Sequence, residues 1–116
     1  MIEVHPGALA MLMRSLAVLA LPAEDQVAWL ASLGLGDPWY AYELAMELDD
    51  GLLLSGQFER AGWLRADVVK IMHEIEDVFA KYSRPGNDEF WNLDGLRTSA
   101  DWVRIRKLAL EALFHV

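Results

Sequence analysis

ALAMLMRSLAVLAL, residues 8–21, is the stretch on which the fold turns. Polar side chains interrupt it only at Arg14 and Ser15, so a helix beginning after Pro6-Gly7 and running to Leu21 is apolar on nearly every face. Such a helix is predicted to lie at the centre of a helical core. A membrane span needs about 20 apolar residues to cross ~30 Å of hydrocarbon, and this run is shorter and broken at its middle. It is not read as transmembrane. A secretory signal carries basic residues ahead of its apolar run, whereas Glu3 is the only formally charged side chain before this one. The expected location is the cytoplasm.

Working outward, Pro22 suits the first position of a second helix, Glu24 and Asp25 favour its positive N-terminus, and Val27, Leu30 and Leu33 recur at helical spacing. Gly34 and Gly36 then end it. Asp37-Pro38 starts a third helix, because Asp caps free N–H groups and Pro lacks the one that would go unsatisfied. It is predicted to run from Pro38 to Asp50 and stop at Gly51. Leu52-Leu53-Leu54 reads as a loop, since a strand without a partner is unstable alone.

From Ala66 to Tyr82 the apolar residues Val68, Ile71, Met72, Ile75, Val78, Phe79 and Tyr82 mark one helix face, with Asp77 and Lys81 paired on the other. Ser83 to Arg97 is a long connection with a short helical turn predicted at Glu89–Asn92. Thr98 and Asp101 resemble a capping box for a last helix that turns Trp102, Ile105, Leu108, Ala109, Ala112 and Leu113 inward. The fold class is all-α: a compact bundle of about five helices in a single domain, residues 1–116.

With 54% hydrophobic residues in 116, the chain can bury enough apolar surface to offset the ordering entropy of folding. One core is expected. Cysteine is absent, which removes disulfides, thiolate metal sites and cysteine nucleophiles. The net charge of −8 is uneven: residues 1–51 hold eight acidic side chains against Arg14 alone, whereas residues 52–116 hold ten against nine basic ones. This distribution opposes nucleic-acid binding, which draws on Lys and Arg to neutralise phosphates, and it suits a basic protein partner.

Catalytic patterns are missing. His5, His73 and His115 are scattered, and His73 with Asp77 gives two potential metal ligands where a site needs more. No serine stands in a Gly-x-Ser-x-Gly elbow, and Gly34-Leu35-Gly36 lacks the third glycine and the strand of a dinucleotide loop. Glu43 and Glu47, one helical turn apart, are the remaining acid–base pair, and a solvated helix face explains them. The expectation is no enzyme activity, no metal and no cofactor.

Glu47, Asp49 and Asp50 fall at the end of the third helix, where the backbone dipole already concentrates negative charge. Local rules are broken more often at functional sites, so Glu43, Glu47, Asp49 and Asp50 form the first candidate for partner contact. Trp is enriched at interface hot spots. Of Trp29, Trp39, Trp63, Trp91 and Trp102, two stand beside acids: Trp39 next to Asp37 at the start of the third helix, and Trp91 after Asp88, Glu89 and Phe90. Asp37, Trp39, Phe90 and Trp91 complete the candidate surface.

The helix Gln26-Val27-Ala28-Trp29-Leu30, the acidic stretch from Glu43 to Asp50, and the terminal helix with Trp102-Val103 and Leu108 to Leu113 together resemble the immunity proteins of bacterial polymorphic-toxin systems. That resemblance implies a cytoplasmic antidote that binds and occludes a cognate toxin domain, here a basic one, with neither nucleic acid nor membrane as partner. The alternatives are a non-catalytic adaptor or regulatory subunit and a homo-oligomeric helical protein.

Overall fold

A computed structural model describes residues 5–34 and 41–116. Among these residues there are eight helices and no strand: α1 (Pro6–Leu19), α2 (Ala23–Ser32), α3 (Ala41–Leu52), α4 (Ser55–Arg60), α5 (Ala66–Ala80), α6 (Asp88–Trp91), α7 (Leu93–Thr98) and α8 (Ala100–Phe114). The all-α reading holds. None of these helices is long and apolar enough to cross a membrane. The count exceeds five because the segments read as connections fold into the short helices α4, α6 and α7.

α1 packs between α3 and α8, and α5 lies against α3 and α8. Leu12, Leu16, Val18 and Leu19 of α1 are buried, but Ala10, Met11, Arg14 and Ala17 face outward. The expectation that no side of this helix meets water is therefore corrected. Alanines on the outer face expose little apolar area, which makes that orientation inexpensive.

Gly51 lies inside α3 rather than after it, and a Cβ there would stand 2.7 Å from Leu12 Cδ1. Its role is close approach of α3 to α1, not helix termination. Leu52 closes α3, Leu53 and Leu54 form the turn, and Phe58, fully buried, anchors α4 beneath it. The start of α3 predicted at Asp37-Pro38 lies outside the described residues.

Buried Gln26 connects the two halves of the core. Its Nε2 donates to the carbonyls of Leu19 (3.0 Å) and Val18 (3.2 Å) at the end of α1, where the Val18 carbonyl also accepts the Leu21 amide. Its Oε1 accepts from Arg106 Nε at 2.9 Å, and Arg106 also donates to the Leu96 carbonyl. Burial lowers the Arg106 pKa. One amide and one guanidinium thus hold α1, α2, α7 and α8 together.

The predicted helical turn at Glu89–Asn92 corresponds to α6, and α7 follows directly. Asn92 caps α7 by accepting from the Gly95 amide at 2.7 Å. The cap of α8 is Ser99, whose Oγ accepts from the Asp101 amide at 3.2 Å, whereas Thr98 donates back to the Asp94 carbonyl. The cap assigned to Thr98 moves by one residue.

At Gly95 a Cβ would fall 1.8 Å from the Glu89 carbonyl oxygen, a backbone atom that cannot step aside. Gly95→Ala is therefore expected to destabilise the protein by about 2 kcal/mol through separation of α6 and α7. Urea denaturation measures it, and an unchanged midpoint would show that the two helices tolerate displacement.

Candidate functional site

α3 sorts its side chains into two outward rows. Tyr42, Met46 and Asp49 recur at i, i+4 and i+7 toward α5, while Glu43, Glu47 and Asp50 follow the same spacing toward α1. Beside each row runs a groove.

Between α3 and α5 the groove encloses about 250 Å³. Tyr42 and Met46, each 46% exposed, form one wall with Asp49, and Glu76, Phe79 and Ala80 of α5 form the other. Trp91 supports it from α6, with its ring edge-on to Tyr42 at 4.9 Å and stacked on Phe79 at 5.7 Å. Between α1 and α3 a second groove of about 170 Å³ is bordered by Met11 and Arg14 on one side and Glu47 and Asp50 on the other.

Electrostatics distinguish the two. Glu47 has a raised pKa, chiefly because burial disfavours its charge, with Glu43 and Asp50 adding to the rise and Arg14 opposing it. Arg14 thus offsets part of the charge that sequence reading left uncompensated. α3 also continues to Leu52, so Glu47 sits a turn before the helix end and only Asp49 and Asp50 remain in the last turn.

Glu76 is pushed up to about 7 by burial first, then by Asp49, toward which the protonated Glu76 carboxyl can donate, and by the negative charges of Asp49 and Asp77. Glu76, which lines the α3–α5 groove together with Asp49, therefore keeps its proton up to about neutrality. Since the folded pKa is above the unfolded one, this group stabilises fully below the ordinary carboxylate range and loses that contribution as pH rises through about 7. Carbon-detected NMR is expected to show the Glu76 carboxyl titrating near 7. In Asp49→Asn the midpoint should fall yet stay raised, because burial remains; no change would exclude Asp49 as a cause of the rise.

Phe90 and Trp91 do not form an exposed anchor. Both are buried in an aromatic cluster with Phe79, Tyr82 and Trp102, and Trp91 Nε1 donates to the Tyr82 carbonyl at 2.9 Å. Their hydrophobic area is used by the core, so only the part of Trp91 that borders the α3–α5 groove reaches the candidate surface. Asp37 and Trp39 lie outside the described residues. Glu43, Glu47, Asp49 and Asp50 all sit on α3, with Glu43 and Glu47 partly buried and Asp49 and Asp50 exposed.

Tyr42, Met46 and Glu76 were missed by sequence reading. The i, i+4, i+7 row of Tyr42, Met46 and Asp49 is legible in the sequence, but only the acidic residues of this helix were singled out. His73 Nδ1 lies 3.8 Å from Glu76 Oε1, and among the described residues no three metal-ligating side chains converge.

Fold and surface together define an α-helical domain whose acidic third helix lies between two grooves. No protein-family model, characterised protein or solved structure is found to match the chain.

Proposed function

We propose that this domain works by binding, as an immunity protein that covers the basic cleft of a cognate bacterial toxin domain with α3. The observation that supports this is the pairing on one helix of half-exposed anchors, Tyr42 and Met46, with the carboxylates Glu43, Glu47, Asp49 and Asp50. Aromatic and Met side chains supply contact area at interfaces, and opposite potentials steer partners together. α3 itself carries no Lys or Arg with which to neutralise phosphates of a nucleic acid.

Co-expression with the toxin domain encoded beside it is expected to rescue growth and to yield a one-to-one complex. Association should slow with added salt, as charges are screened over about 8 to 10 Å. Glu47→Lys combined with Asp49→Lys should lower the association rate by roughly tenfold at low salt. The fold should survive with some loss of stability: cations are favoured toward a helix C-terminus and Asp49→Lys places one beside Glu76, while Glu47→Lys sets one against Arg14. Equal rates for the variant and the wild type would place the contact elsewhere.

An exposed apolar row on α8, Val103, Leu110 and Phe114, supports a second reading as a homo-oligomer. Sedimentation equilibrium separates the two.

A further inference from the structure

Three features remain after the core and the acidic helix are accounted for: the α8 row, the α1–α3 groove and the α3–α5 groove. Nothing on the α8 row states what would cover it. The α1–α3 groove already carries its own cation, Arg14. The α3–α5 groove combines exposed aromatic and thioether walls with two carboxyl groups from different helices and no cation among its lining residues.

We propose that the groove between α3 and α5 is a socket for one arginine side chain of the protein partner, with Tyr42 and Met46 against the guanidinium face and Asp49 and Glu76 accepting its N–H groups. The arginine's belonging to a partner rests on the binding function proposed above; the groove's preference for a guanidinium does not.

Size is the first argument. Pockets for drug-sized ligands run ~300–1,000 Å³. This one holds about 250 Å³, suited to a single side chain entering from outside.

Chemistry is the second. An apolar occupant would take the Asp49 and Glu76 carboxyls out of water while supplying no hydrogen-bond donor of its own, which is unfavourable. A bare divalent cation such as calcium takes six to eight oxygen ligands, and Met46, Phe79, Ala80 and Trp91 supply none through their side chains. A guanidinium has flat faces that stack on aromatic rings and edges that present five donors, so it satisfies both kinds of wall. Lysine offers a compact, strongly hydrated charge without a stacking face.

Proton balance is the third. Asp49 and Glu76 line the same groove, and Glu76, raised to about 7 by burial first and then by Asp49, holds a proton over part of the neutral range. When the guanidinium enters, that proton leaves to solvent and two carboxylates face one cation. Glu76 is half protonated at about pH 7, and binding that requires its ionised form should tighten by roughly tenfold between about pH 6 and about pH 8. The titratable groups around it are Asp49 and Tyr42 from α3 and His73 and Asp77 from α5; α4 and α8 contribute no residue to the groove's lining.

The test uses the full chain and N-acetyl-arginine methylamide, followed by proton–nitrogen NMR. Expected are saturable shifts at the Trp91 indole and at the Tyr42, Met46 and Asp49 amides, with the Trp29 and Trp63 indoles unmoved. The neutral citrulline analogue should give no such shifts, and the lysine analogue should bind more weakly. Glu76→Gln should lower the affinity by about fivefold or more and flatten its pH dependence, and Tyr42→Ala should weaken it. His73→Gln should keep the pH dependence.

Equal binding of the citrulline or lysine analogue would overturn the assignment, as would an affinity unchanged by Glu76→Gln, shifts confined to α8, or none in the groove. Loss of the pH step in His73→Gln would assign the proton to the histidine and overturn the carboxyl pair. Self-association that the arginine analogue dissolves would make the occupant a second copy of this chain and overturn a separate partner. The titration requires no toxin, so failed growth rescue leaves the socket standing, and a failed titration leaves the immunity reading standing.

Discussion

Leu16→Asp is expected to leave the chain without a cooperative thermal transition. Leu16 is fully buried on α1, the helix flanked by α3 and α8. Arg14, the one basic residue of α1, lies on the outward side of the helix, away from the fully buried position 16. Loss of the leucine transfer energy removes about 2 kcal/mol, and an unpaired buried carboxylate, or its forced protonation, removes several more. Together these approach the ~5–15 kcal/mol that holds a domain of this kind folded. Met13→Asp should do less. Met13 is only partly buried at the edge of the core, where a carboxylate can reach water. Circular dichroism during heating measures both; a wild-type melting curve for Leu16→Asp would contradict the placement of α1.

That contrast shows how far residues 8–21 could be read without coordinates. Periodicity identifies a helix and its apolar content identifies burial, but Ala10, Met11 and Ala17 are as apolar as their neighbours. Which side faces outward depends on what packs against it. Gly51 and Gly95 illustrate the same limit from the backbone: each looks like a terminator or a loop residue in sequence, and each is a point of close approach between helices distant in the chain or adjoining across a turn. Short helices such as α4 and α7 escape periodicity because four to six residues hold less than two turns.

At the candidate site, the acids of α3 were legible because their charge conflicts with the helix dipole, a local rule. Glu76 was not. Its distinction comes from burial beside Asp49, a contact between residues 27 positions apart, and on its own helix it reads as an ordinary polar position. Phe90 and Trp91 were hard to place for a related reason: aromatics in a long polar connection can serve an interface or a core, and both pack against Trp102 of α8.

Trp102→Ala is expected to cost about 4 kcal/mol, and the reason lies in that cluster. Its indole is fully buried, stacks on Phe90 at 5.0 Å, meets Phe79 edge-on at 5.3 Å, and donates from Nε1 to the Phe90 carbonyl at 2.8 Å. Removing a buried Trp side chain costs ~3–5 kcal/mol, and the Phe90 carbonyl would lose the partner that satisfies it in the core. At about 3–5 °C per kcal/mol for a chain of this length, the melting temperature should fall by about 12–20 °C. Trp102→Phe separates packing from hydrogen bonding, because it keeps a ring and deletes the donor; a loss of about 1–3 kcal/mol is expected. Equal stability of Trp102→Phe and wild type would mean that water or another donor reaches the Phe90 carbonyl. The consequence extends to the surface. Phe79 and Trp91 line the α3–α5 groove while touching Trp102 behind it, so Trp102→Ala should also weaken guanidinium binding there at temperatures where the chain is still folded. Unaltered binding in that variant would show that the groove is held by α3 and α5 alone.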